Sequence, residues 1–429
     1  MIRPNPFLFA LAALLLAVPS AMAQMPSYGP PPMVGGSGGV PPGVSYGQNV
    51  VNYRVNQHGS RWNETQPIEA FLSQVSKRSW IKVEYMLWDI EDPGQRTIGA
   101  PIGDEDGRVP FQVENAATGD LFGFAVVPNF DNVTLNDNIS VRGTYGIWFD
   151  GGEIEFSVFG NEQASDRVSF PNLQANRPEA PDPLDPNPPP PDAGLGTVNN
   201  PNVIIPLTSN GGVTDSGGLA FLGFDSSYDA TLRSQFWGAE FNILSKPQAS
   251  VNALQWQWLG GIRYVSFDED FNQRGVNDAG GTIAPQIFNI RSSTTNNLYG
   301  PTAGFRAKLD SKYVTLSVTP RVTFALNDHT NRLSTAGSGF DTPSSFSDEQ
   351  IDFTTLTQVS FLAEVHPSEG WTFFGGYDFF WSSRTSRPFR GTNFDSSIVG
   401  DSVSPQLGLR PNPESLSIEG FSFGATYRF

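Results

Sequence analysis

Few side chains in this 429-residue chain have the type and spacing to do chemistry. There are three histidines, His58, His329 and His366, and no cysteine, which excludes thiolate nucleophiles, disulfides and cysteine-held metals. Asp328-His329 has the composition of a hydrolytic pair, but neighbours in a strand face opposite ways, and no serine or second carboxylate is spaced to complete a site. The acidic runs Asp104-Glu105-Asp106 and Asp268-Glu269-Asp270 carry oxygen ligands without the spacing of a calcium loop, so they read as solvated loop charge. The expectation is a non-enzyme with no catalytic residue, metal or cofactor.

A second set of residues is better ordered. Lys82, Glu84, Arg142, Glu155, Glu240, Arg263, Arg306, Lys308, Arg321, Glu364, Asp378 and Arg428 all fall on the face opposite to large apolar neighbours two residues apart. What must position them is a set of strands. In Lys312 to Leu326, the residues Val314, Leu316, Val318, Val322, Phe324 and Leu326 share one face, and Thr315, Ser317, Thr319, Arg321 and Thr323 share the other. Pro320 predicts a local bulge there. About ten such segments occur, near 79–90, 138–150, 152–160, 228–244, 252–267, 297–309, 311–326, 353–366, 371–383 and 415–429. Their connections alternate between tight (150–152, 245–250, Asp310, 367–370) and long (91–137, 161–227, 268–296, 327–352, 384–414).

Short turns on one side, long loops on the other and an even strand number predict an all-β fold, an antiparallel up-and-down transmembrane β-barrel of 10–12 strands in an outer membrane. Barrels of about eight strands are filled by their own side chains, and open channels appear at about 16. Ten strands lined by both signs of charge therefore predict a narrow or closed lumen. The expected role is structural or surface-interacting, or that of a narrow pore. A solute-conducting porin would need more strands hidden in 161–227, such as Ala220 to Phe224. A barrel hydrolase or protease would need His329 or His366 to meet a carboxylate or serine.

Aromatic residues should gather at the two membrane interfaces. Trp80, Tyr313, Trp371 and Tyr427 are expected at the periplasmic one, and Trp237, Tyr264, Tyr299 and Trp381 at the external one. In the last strand Phe421, Phe423, Tyr427 and Phe429 face lipid and resemble the terminal signal read by the barrel-assembly machinery, closing against Ser79 to Ile90. The domain reading is a signal peptide over 1–23, a Pro/Gly-rich periplasmic leader over 24–63, a short amphipathic helix over 64–78 and the barrel over 79–429. The segment 178–191 is Pro-rich and cannot join a ladder. The net charge of −17 argues against nucleic acid. The expected partners are outer-membrane lipid and the assembly machinery, and the oligomeric state is not legible.

Several segments together, SWIKVEYMLWD (79–89), SQFWGAEFNIL (234–244), LGGIRYVSFDE (259–269) and GGYDFFWS (375–382) followed by Arg387-Pro388, resemble the β-barrel porin family seven typical of planctomycete outer membranes, as does the closing GFSFGATYRF. The resemblance covers roughly 79 to 429. It implies a fold and a location, with no substrate or functional residue to carry over. The long Pro/Asp-rich loop and Asn242-Ile243 after WGAEF depart from the commoner pattern.

Overall fold

The computed structural model describes residues 78–100, 111–114, 121–136, 138–171, 173, 202–209, 220–249, 254–278, 284–368, 370–399 and 402–429. The expectations for 1–77 (including His58), for Asp104-Glu105-Asp106 and for 178–191 lie outside the described residues. In chain order the strands begin with β1 (Ser79–Ile90), β2 (Phe111–Glu114), β3 (Leu121–Val126), β4 (Asn138–Phe149), β5 (Gly152–Asn161) and β6 (Ala164–Phe170). There follow β7 (Asn202–Ser209), β8 (Ala220–Phe224), β9 (Ser227–Ser245), β10 (Gln248–Ala249), β11 (Leu254–Asn277) and β12 (Gln286–Asp310). The last are β13 (Val314–Ala336), β14 (Ser344–Val365), β15 (Trp371–Thr385), the one-turn helix α1 (Pro388–Gly391), β16 (Thr392–Val399), β17 (Ser402–Leu409) and β18 (Glu414–Arg428).

Ten strands form a ring, β1-β4-β5-β9-β11-β12-β13-β14-β15-β18, closed by β18 pairing with β1 from Trp80↔Arg428 to Ile90↔Ile418. Every neighbouring pair is antiparallel. The wall is inside-out relative to a soluble protein: outward Phe421, Ile262 and Tyr313 are 68, 63 and 61% exposed, while inward Glu84, Arg263 and Asp378 are 1, 3 and 0% exposed. Only lipid makes that distribution favourable, because the exposed apolar band removes no surface from water otherwise.

Three expectations are corrected. First, 268–296 and 327–352 are not loops: β11, β12, β13 and β14 run 24, 25, 23 and 22 residues, whereas about 9–11 cross a bilayer, so this side of the ring stands well above the membrane. Above the lipid band both faces accept polar residues, which erases the alternation that marks a strand. Second, Pro320 makes no bulge. The β12–β13 register is the same at Asn289↔Ala336 and Asp310↔Thr315, and pairing simply drops out beside Pro301 and Pro320, which have no N–H to give. Third, Ala220–Phe224 is a strand but adds nothing to the ring. It pairs with β7 in a separate sheet, β17-β16-β7-β3-β2, built from the long connections.

That second sheet closes the external mouth. Its buried Val203, Ile205, Leu207, Leu222 and Leu407 share one apolar cluster with the inward Trp88, Phe271, Phe288 and Ile418 of the barrel. Phe130 packs its ring 5.1 Å from that of Phe271 and 5.3 Å from that of Phe389, so the connections enter the barrel rather than lie over it.

Candidate functional site: a charge-lined lumen under a plug

Strand alternation turns the charged residues of all ten strands into one interior. Ten of the twelve residues read as inward surround a cavity of about 130 Å³ at the periplasmic half, with Lys82, Glu155, Arg306, Lys308, Glu364 and Arg428 among its walls. The other two, Arg263 and Asp378, belong to the same hydrogen-bonded network.

The charges are paired in short chains. Glu155 receives a two-pronged bond from Arg306, at 2.8 and 2.9 Å. Glu240 binds Arg263 (2.6 Å) on one oxygen and Arg321 on the other. Lys82 reaches Glu84 at 3.0 Å, and Arg142 lies 3.6 Å from Glu84 and 3.7 Å from Asp378. A polar relay crosses the lumen, with Arg263 Nη2 donating to Gln358 Oε1 (2.6 Å), Gln358 Nε2 donating to Asp378 Oδ1 (2.8 Å) and Ser360 Oγ donating to the same oxygen. The pairs Arg306–Glu155, Arg321–Glu240 and Arg142–Asp378 join strands that are not neighbours in the ring, so the network is a cross-brace and a barrier at once.

Two residues of this site differ from the sequence reading. Trp80 is not an interface aromatic. It is 7% exposed, faces inward, and donates its Nε1–H to Glu153 Oε1 at 2.6 Å. Its parity with Lys82 and Glu84 on the same strand requires this. Glu153, which the reading missed, is 4% exposed and stands 3.7 Å from Arg306. Its spacing of two from Glu155 was the available signal. The remaining aromatics face outward: Tyr299, Tyr313, Trp371 and Tyr427 are exposed, Trp237, Tyr264 and Trp381 are half-buried, and the rings of Trp371 and Tyr427 and of Trp237 and Tyr264 each meet at 5.0 Å. Phe421 and Phe423 are exposed on the outer face, and Phe429 is half-buried, with its N–H donating to Ser79 O at 3.1 Å.

Above the relay, the segment leaving β15 descends into the mouth and is held by inward polar residues of the tall wall. Asn296 brackets Ser386, donating to its carbonyl (2.8 Å) and accepting from its N–H (2.9 Å), and Ser386 Oγ donates to Asn331 (2.5 Å). Ser292 Oγ donates to Pro388 O at 2.9 Å, just where α1 begins. Arg387 is the anchor: Nε and Nη2 donate to the two oxygens of Glu269 at 3.0 and 2.7 Å, Nη1 donates to Glu91 O at 2.8 Å, and its guanidinium lies 4.6 Å from the Phe389 ring. Glu269 sits five residues beyond Tyr264, outside the lipid band, and burial pushes its carboxyl above the usual carboxylate range against the pull of Arg387.

His329 is on β13, not in a loop, and its partner is Asp352 on the next strand (Nε2 to Oδ2, 3.2 Å) rather than the adjacent Asp328. Nδ1 is taken by Asn331 at 2.9 Å, and the ring is fully buried. His366 lies between Thr315 (2.9 Å) and Thr372 (3.0 Å) at the periplasmic end.

Among solved structures, the chain is similar to the outer membrane protease OmpT of Escherichia coli (7% identity, 82% of this chain and 97% of that chain, TM-score 0.39). It is also similar to a Pseudomonas aeruginosa FadL homologue (11% identity, 82% and 90%, TM-score 0.24). No curated protein matches. The family model described as Putative beta barrel porin-7 matches residues 80–429, the whole ring with its plug, and the chain therefore belongs to that family of outer-membrane barrels.

Proposed function

We propose that this protein is a non-enzymatic barrel with a closed lumen, acting as a structural and surface-interacting element of the outer membrane. The observation that supports this reading is the double obstruction of the lumen. The Arg142–Asp378–Gln358–Arg263–Glu240 relay spans the middle, and the Arg387-anchored segment with its sheet fills the mouth. Each is made of groups that would be left buried and unpaired by opening, at about 1–3 kcal/mol per group or more for a charge.

The rival enzymatic reading gains a carboxylate for His329, but both ring nitrogens are engaged, solvent does not reach the ring, and Ser386 bonds Asn331 instead of the imidazole. A fixed strut is the better account of that cluster. Export is by cleavage after Ala23, and mass spectrometry of the protein from membranes should find Gln24 at its start. The decisive measurement is conductance in planar bilayers across neutral and charged solutes. A closed lumen gives no stable open level, and a nanosiemens-scale channel would overturn the proposal.

A further inference from the structure

β14 has a partner along its full length on one side only. β13 pairs with it from Val314↔Val365 to Thr335↔Ser344, whereas β15 stops at Leu356↔Ser382 and turns into the mouth. The last β14 backbone N–H bonded on that side is that of Thr355, donating to Ser383 Oγ at 3.0 Å, and beyond it Arg384 reaches only the Asp352 side chain, at 3.4 Å. A strand residue turns its N–H and C=O to the same side, so that bond fixes the parity. Phe353, Ile351, Glu349, Ser347 and Ser345 present their backbone groups to the open edge, with no hydrogen-bond partner among the described residues. Proteins guard such edges with proline, lysine, a bulge or a covering segment, and here neither proline nor lysine occurs and the register is unbroken. The edge is also apolar where it meets the lipid band: Ile351 and Phe353, on the outer face, are 62 and 58% exposed. Glu349, two residues further up, puts a negative charge on the same face.

A second copy does not fit. Two copies in one membrane are related by an axis along its normal, so strands each tilted by about 40° would cross at about 80° and share no ladder. A free extended segment has no such constraint. We propose that Ser345–Phe353 is a docking edge for an extended segment of another surface protein, added as a strand, with β-branched or aromatic side chains against Ile351 and Phe353 and a lysine or arginine beside Glu349 on the same outer face. This rests on the surface-interaction reading and names its site.

The test uses the full-length protein in micelles and a synthetic nine-residue probe, acetyl-Thr-Val-Thr-Val-Lys-Val-Lys-Thr-Val-amide. Amides 345, 347, 349, 351 and 353 should exchange quickly in the protein alone and slowly with the probe, while the even-numbered amides, bonded to β13, are slow in both. Ser347→Pro and Glu349→Pro each remove an edge donor without touching the β13 ladder. Each should weaken the probe by about tenfold or more, with heat-modifiable gel mobility retained, and Glu349→Lys should weaken it severalfold by charge alone. No binding, equal binding by the proline variants, or slow odd-numbered exchange before any probe is added would each overturn the proposal. An open channel in bilayers would instead sink the closed-lumen reading and leave this one standing.

Discussion

Replacing Arg387 by alanine isolates the hold of the wall on the plug. The guanidinium makes three bonds of 2.7–3.0 Å in a site where its side chain and that of Glu269 are 1 and 0% exposed. Removing one partner of such a pair typically costs about 3–5 kcal/mol, chiefly because the other charge is left buried. At ~1.4 kcal/mol per decade, the segment around 384–399 should open on the order of a hundred to a few thousand times more often. Hydrogen exchange read by mass spectrometry on peptides from that segment measures this directly.

The pH dependence has a definite sign. In Arg387→Ala the unpaired Glu269 carboxyl is buried, so its pKa rises in the folded state above its unfolded value. Such a group leaves stability intact at low pH and removes it as pH climbs through the raised folded pKa. The deficit should be smaller at mildly acidic than at mildly alkaline pH. Arg387→Met combined with Glu269→Leu should recover most of the loss, since an apolar pair of similar volume often replaces a buried ion pair at little cost. Unchanged exchange in Arg387→Ala, or the same deficit at both pH values, would refute the anchoring role.

Three further substitutions probe the wall. Phe423 lies six residues from Phe429, about 15 Å up from the periplasmic edge at ~3.3 Å per residue and a ~40° tilt, so Phe423→Arg puts a charge near the bilayer midplane and should cost about 2–4 kcal/mol in folding titrations with lipid vesicles. Gly152, in the turn between β4 and β5, has φ +151°, and a Cβ there would stand 1.9 Å from Leu244 O, so Gly152→Ala should destabilise by about 1–3 kcal/mol. Gly151→Ala meets only the exposed Phe149 ring, at 2.6 Å, and should be far milder in the same urea titration.

The ring was legible because lipid on one side and charge on the other impose period two, and all ten segments correspond to ring strands. What was lost follows the same physics. Once β11 to β14 rise above the lipid, Asp268, Asp270 and Asn272 on the outer face remove the contrast that identified them. The plug strands are short, and β7 carries Pro206, which argues locally against a ladder, although Val203-Ile204-Ile205 marks a fully buried run. Residue type points Trp80 to an interface, whereas its parity with Lys82 and Glu84 decides its place, and Asp352 has no local mark as the partner of His329 because 23 residues separate them and only the hairpin brings them together. The plug anchor Arg387–Glu269, 118 residues apart, had no local signature at all.

The seam where Phe429 bonds Ser79 carries a practical corollary. Since the two ends of the ring touch on the periplasmic side, the barrel is in effect a circle opened at one rung. Joining residue 429 to residue 79 by a few glycines and cutting instead within 337–343, outside the membrane, should yield a circular permutant with the same wall. Its new termini would display any fused domain at the cell surface, where neither native end of the ring reaches.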